Sequence, residues 1–191
     1  MVLTIPQALY DMAVGFMKDA GLSPKAAAEK AKAAVPGASK ADEWDVLRKL
    51  EDAKLAGTIT LTHKNSGSRL ALMSGGALEA RQPDAYEDED RWQAVRVADG
   101  DIHLKHAKSG KLLASRQMIG PAGRHDLYAH ADDEDSKYTD DVRWLVDWSS
   151  DALMLRSQSS GALLAMDAEP CAEPDRSGGD VDGKEWLVAT V

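Results

Sequence analysis

One cysteine, Cys171, is all that 191 residues contain, so no intramolecular disulfide can form and the fold must stand by packing. Phenylalanine is nearly missing too, with one Phe against five Trp. The aromatic bulk therefore sits at a few positions, and those positions mark where a core must be. No apolar run approaches the roughly 20 residues that a membrane-spanning helix needs. The amino-terminal stretch MVLTIPQALYDMAVGFMKD has neither a basic leader nor an uninterrupted apolar segment, so no signal peptide is expected and the cytoplasm is the expected compartment. Positive charge is also short, the formal net charge being −9 at pH 7. Residues 1–57 carry eight basic and eight acidic side chains, so the whole excess falls on 58–191. An acidic domain is repelled by phosphate backbones and by anionic lipid. Neither nucleic acid nor membrane insertion is expected of it.

The first 57 residues read as a small helical segment of three helices. Pro6 opens a stretch with apolar residues at Leu9, Met12, Ala13, Phe16 and Met17, the spacing of one helical face, which Gly21 closes. Ser23-Pro24 starts a second, alanine-rich helix that Pro36-Gly37 ends. Ser39 followed by Asp42 is a capping-box variant ahead of a third, which carries Trp44, Leu47, Leu50 and Leu55 and stops at Gly57. Helices two and three have the order of a helix-turn-helix, but the segment lacks a basic recognition face. A structural or docking appendage is the reading that remains.

From residue 58 the periodicity shortens and one phrase occurs three times. It runs Leu61-Thr62-His63-Lys64-Asn65-Ser66-Gly67-Ser68-Arg69-Leu70-Ala71, then Leu104 to Ala114, then Leu155 to Ala165, in the pattern L-x-[HS]-x-x-S-G-x-x-L-A. A second marker follows each phrase, at Trp92, Trp144 and Trp186, lying 22, 31 and 22 residues after Leu70, Leu113 and Leu164. The middle unit is thus longer, by residues between Ser115 and Val142. Two markers matched three times make a repeat. Ser-Gly is turn chemistry between paired strands, with Gly supplying the backbone angle that other residues resist. The flanking Leu residues and each Trp, with the Val that follows it (Val95, Val146, Val188), are placed by alternation toward one interior. A unit of about 40 residues cannot bury that face alone. Three arranged about an axis can, closing a barrel and removing most free edges. The expected core is Leu61, Leu70, Trp92, Leu104, Leu113, Trp144, Leu155, Leu164 and Trp186.

The three-unit pattern resembles a β-trefoil, over residues 58–191 only, with repeats at about 58–98, 99–149 and 150–191. The stretch L-x-H-x-x-S-G in units one and two is similar to MIR-type repeats. Ser66-Gly67 through Gly75-Gly76-Ala77-Leu78 to Arg91-Trp92 resembles a fascin-like unit. Trp92 to Asp99-Gly100-Asp101-Ile102-His103-Leu104 resembles the ricin-type lectin repeat, whose signature has Gln two residues before Trp. Asp90, Val142 and Lys184 stand there instead. The resemblance implies an all-β β-trefoil of three pseudo-repeats behind the helical segment, α+β when the whole chain is counted.

No catalytic constellation, cofactor motif or metal-ligand spacing emerges, and the chain is not expected to be an enzyme. His103 and His106 sit three apart on one strand and so face opposite ways. His63 and His106 occupy equivalent places beside the turn, where a structural role is expected. His125 and His130 lie with the acidic run Asp132-Asp133-Glu134-Asp135 in the middle-unit insertion, read as a solvated loop. Asp180-Val181-Asp182-Gly183 lacks the length of a calcium loop and reads as a turn. The expected function is a carbohydrate-binding, lectin-like module. Tyr86 and Tyr128 are its candidate stacking rings, Asp84, Asp126 and Asp132 its polar contacts, and Trp148, the Trp of the β domain outside the repeat positions, its surface candidate. The alternatives are a fascin-like protein-interaction scaffold docked through the helices, and a trefoil protease inhibitor acting through residues 115–142. The expected partner is thus a glycan or a protein.

Overall fold

The computed structural model describes residues 4–83, 87–97, 101–117, 125–130, 140–149, 152–166, 170–173 and 183–191. They fall into two compact units, Met1–Lys54 with Trp148–Ala152, and Leu55–Asp147 with Leu153–Val191.

The first unit is built on helices α1 (Ile5–Ala20), α2 (Pro24–Ala34) and α3 (Lys40–Leu55). Their ends follow local chemistry. At the end of α1, Gly21 adopts a left-handed φ of 62°, which a side chain would resist. The Ser23 hydroxyl accepts the Ala26 N–H at 3.2 Å and caps α2. Ser39 and Asp42 cap α3 reciprocally, the Asp42 N–H donating to Ser39 Oγ at 3.1 Å and the Ser39 N–H to Asp42 Oδ2 at 2.8 Å. The hydroxyl and N–H of Ser39 hold the Asp42 carboxyl below its ordinary value.

Leu9, Ala13, Ala27, Ala28, Ala31, Val46 and Leu50 make the core of this unit. Met12 lies at the edge of the α1 apolar face, 37 % exposed, and Trp44 is 61 % exposed. Trp44 departs from the burial of its helix because the inward row is 43, 46 and 50, and position 44 is rotated about 100° from 43. Glu43 takes the inward place. Burial alone would raise its carboxyl, but the ammonium groups of Lys40 and Lys32 outweigh that and hold it low. Among the described residues no helix is long and apolar enough to cross a membrane.

The second unit is all β. The strands are β1 to β4 (Thr58–His63, Arg69–Leu72, Leu78–Arg81, Trp92–Arg96), β5 to β8 (Ile102–His106, Leu112–Gln117, His125–His130, Trp144–Ser149) and β9 to β12 (Ala152–Ser157, Leu163–Met166, Pro170–Glu173, Trp186–Thr190), of which the end of β8 and the first residue of β9 fall with the first unit. The first and fourth strands of each set pair in a closed ring, β1-β4-β5-β8-β9-β12 and back to β1. The second and third form hairpins β2–β3, β6–β7 and β10–β11. Residues 125–130 are therefore strand, which corrects the reading of His125 and His130 as part of a solvated loop. They supply the third strand that β3 and β11 supply in the other units, and β7 pairs with β11 as well.

Side chains enter this interior in threes. Ile59, Ile102 and Leu153 form one triplet, Leu61, Leu104 and Leu155 a second, and Leu70, Leu113 and Leu164 a third, none more than 1 % exposed. Trp92, Trp144 and Trp186 complete the set at 0 %. Each indole N–H donates to the carbonyl of the Leu on the second strand of its own unit, Trp92 to Leu70 at 2.9 Å, Trp144 to Leu113 at 2.9 Å and Trp186 to Leu164 at 3.1 Å. The Val residues do not accompany them inward as the sequence pattern places them. Val95 is 45 % exposed and Val146 and Val188 are half-buried. For Val95 the reason is parity, because three residues separate it from Trp92 and alternate residues face opposite sides.

The three units share a backbone and differ in what fills it. The position two before Trp is buried in all three, at Asp90, Val142 and Lys184. In the first unit Asp90 is paired with Arg69, Nη1 to Oδ2 at 2.8 Å. The second unit puts Leu112 and Val142 in one apolar cluster at the same two places.

Two predictions follow from the packing. Trp92→Ala, Trp144→Ala and Trp186→Ala each lower stability by about 3–5 kcal/mol in urea unfolding; unchanged unfolding in any of them removes that residue from the core. Asp90→Ala strands a guanidinium and costs about 1–3 kcal/mol. The double variant Arg69→Leu with Asp90→Val copies the second unit and matches or exceeds the parent Tm, as apolar replacements of ion pairs often do. A double variant less stable than Asp90→Ala would mean that the first unit cannot accept the second unit's solution.

Candidate functional site

The repeated Ser-Gly phrase forms a capped turn between the first and second strands of each unit. Gly67, Gly110 and Gly161 have φ of 70°, 73° and 68°, and their N–H groups donate to the carbonyls of His63, His106 and Ser157 at 2.9 Å. In the first two turns the histidine joins the cap. Nδ1 of His106 accepts the Ser109 N–H at 3.3 Å and bonds the Ser109 hydroxyl at 2.8 Å, as His63 does with Ser66. With Nδ1 accepting, the proton belongs on Nε2, which in His106 donates to the Glu89 carbonyl at 3.2 Å. The ring of His106 also stands edge-on to Trp92, 5.3 Å between centroids. Burial pushes this imidazole's pKa down, against the opposing pull of the Glu89 carbonyl. Both ring nitrogens are thus engaged, Nδ1 in the turn and Nε2 on the Glu89 carbonyl.

Where the second repeat's turn meets the first repeat's hairpin there is a cleft of about 180 Å³. Leu72 and Met73 form its apolar part, Gly76 stands on the β2–β3 turn, and Glu89, Lys108 and Lys111 bring charge. Glu89 is fixed from several directions. Its carboxylate accepts from Lys108 Nζ at 2.8 Å and from the N–H groups of Glu87 and Asp88 at 3.2 Å. The Lys108 ammonium, with those backbone groups, holds the carboxyl down to about 2, and Glu89 in turn raises the Lys108 pKa. The Lys111 ammonium reaches the Gly76 turn, 3.8 Å from where a Cβ would stand. Among the described residues no group of three or more His, Cys, Asp or Glu side chains comes together as metal ligands.

The residues expected from sequence lie elsewhere. Asp84, Tyr86 and Asp132 fall outside the described residues. Asp126 and Tyr128 are on β7, opposite Arg116 and Ala114. Trp148 corrects the expectation of a surface ring: it is 4 % exposed, with the Lys54 ammonium 4.7 Å from its ring centroid. It stands on β8 four residues after Trp144, with the same parity, and both are buried. Among the described side chains, none of the six contributes to the cleft. Sequence reasoning missed Glu89, Lys108 and Lys111 because it weighed what the repeats share. The signal lay in what they do not share, since positions 108 and 111 are Asn65 and Ser68 in the first phrase and Ser159 and Ala162 in the third.

A six-strand ring carrying three hairpins, with matched core triplets and matched indole bonds, defines a β-trefoil-like fold. A comparison with solved structures agrees. The chain is similar to a designed threefold-symmetric protein, ThreeFoil, with a TM-score of 0.57 and 20 % identity over 70 % of this chain and 99 % of that one. At that identity the likeness is one of fold. No protein-family model matches the chain, and no curated protein does.

The depressed Glu89 carboxyl sets a pH dependence. Its contribution is complete above the unfolded carboxyl value of about 4.3 and is lost as pH falls through the folded value of about 2. Glu89→Gln is therefore less stable than the parent at pH 7, and the gap in urea midpoint narrows as pH falls from about 5 toward 2. A gap independent of pH would separate Glu89 from acid unfolding.

Proposed function

We propose that the chain is a non-catalytic recognition module that binds a glycan through its β-trefoil-like domain. The observation that supports this reading is the cleft between the first and second repeats. It sets hydroxyl, ammonium and backbone groups around the apolar surface of Leu72 and Met73, the mixture of a small apolar patch with a few placed polar groups that suits a sugar. Glu89 and His106 are engaged rather than poised for proton transfer. Glu89 is held ionised by Lys108, and His106 has Nδ1 in the turn and Nε2 on the Glu89 carbonyl. An acidic domain is a poor match for a nucleic-acid backbone.

A second reading, a protein-interaction scaffold with a docking helical unit, has its own support in Trp44, a large ring left 61 % exposed on α3. Exposed tryptophans of this kind are frequent anchors at protein interfaces.

A glycan-array screen of the full chain separates the two. Binding to a defined sugar family is the expected result. A blank array, from protein whose far-UV spectrum and cooperative unfolding are intact, rejects the glycan reading in favour of a protein partner engaged through Trp44.

A further inference from the structure

We infer that the cleft between the first and second repeats selects a sugar bearing a single negative charge, carboxylate or sulfate, with Lys111 as the anion-binding group. This rests on the glycan reading above and deepens it.

The threefold backbone supplies its own control. Three equivalent junctions are fixed by matched bonds. The N–H groups of Leu72, Ser115 and Met166 donate to the carbonyls of Glu89, Asp141 and Gly183, all within 2.8–2.9 Å. At the adjoining turns the N–H groups of His106, Ser157 and His63 donate to the carbonyls of Lys111, Ala162 and Ser68 at 2.8 Å. Glu89, Asp141 and Gly183 are therefore one position in three copies, and Lys111, Ala162 and Ser68 another. Two junctions fold with Ala or Ser where the first has Lys111. The backbone does not require a cation there, so a structural need does not explain the lysine.

Among the side chains that line the cleft one cation is left over, although the Glu87 and Asp88 carboxylates also act on Lys108. Glu89 and Lys108 neutralise each other at 2.8 Å. His106 is neutral, its Nδ1 accepting and its ring buried. What remains is Lys111, whose ammonium has no ion pair among the described residues and projects to the Gly76 turn. Gly76 has φ of 87° there, a backbone angle that favours glycine. The space is small, about 180 Å³. The net charge of −9 does not forbid an acidic ligand. Exposed charges beyond roughly 8–10 Å are largely screened at physiological salt, whereas a contact pair is not.

The test uses the full chain on glycans presented in matched neutral, uronic-acid and sulfated forms. Acidic forms should bind about tenfold tighter than their neutral counterparts, the worth of one charge-assisted hydrogen bond. Lys111→Gln should erase that preference, Lys111→Arg should keep it, and Lys49→Gln on α3 should change nothing. Sugar binding with no acidic preference, or a preference that survives Lys111→Gln, overturns this inference and leaves the glycan reading standing. Folded protein that binds no sugar in any form overturns both.

Discussion

A tryptophan buried to 0 % exposure must give its indole N–H to something other than water, and in this chain that requirement organises the β domain. Each of the three repeat tryptophans gives its proton to a leucine carbonyl on the second strand of its own unit. Losing the bond would leave a buried donor unpaired, at a cost of about 1–3 kcal/mol. The bond links a ring strand, β4, β8 or β12, to the hairpin beside it. It therefore couples closure of the barrel to formation of the hairpins. With no disulfide available from a single cysteine, this coupling does the work that a cross-link does in other small domains.

The same constraint explains what the three units are free to change. Trp, its leucine acceptor and the ring triplets are matched, and the turns repeat within a few degrees at Gly67, Gly110 and Gly161. Around that frame the chemistry diverges. An ion pair between Arg69 and Asp90 occupies places that hold Leu112 and Val142 in the next unit. The histidine of two turns is Ser157 in the third, whose hydroxyl accepts the Ser160 N–H at 3.4 Å in place of an imidazole nitrogen. Each substitution meets the same hydrogen-bond or volume requirement by different means, which is how one fold carries different surfaces.

Much of the architecture was legible because its signals are local. Ser23, Ser39 with Asp42, and Gly21 each announce a helix end by chemistry completed within three or four residues. The Ser-Gly phrase is likewise a turn that closes on itself, and its triple occurrence gave the repeat. The errors came where a side chain's surroundings are set by strand parity or by another segment. Trp148 looked external because it stands outside the repeat marker, yet it has the parity of Trp144. Val95 looked internal because it follows Trp92, yet it has the opposite parity. The cleft was illegible for a third reason: Glu89 and Lys108 meet across 19 residues, and a composition or motif count cannot see a pairing that the fold creates.

Symmetry gives the remaining argument its force. In a protein without repeats, a lysine beside a small cleft is one of many surface charges, and most such charges serve solubility. Here the same backbone position is sampled three times in one chain, under the same bonds, as Lys111, Ala162 and Ser68. Folding is satisfied by the two small residues, and so is the turn. The carboxylate that would otherwise answer a lysine at this junction, Glu89, is occupied by Lys108 and by two backbone N–H groups. Lys111 thus adds a second cation to the cleft lining with no ion pair of its own among the described residues. That contrast between one lysine and two small residues is the ground on which a ligand of opposite sign is proposed for this junction.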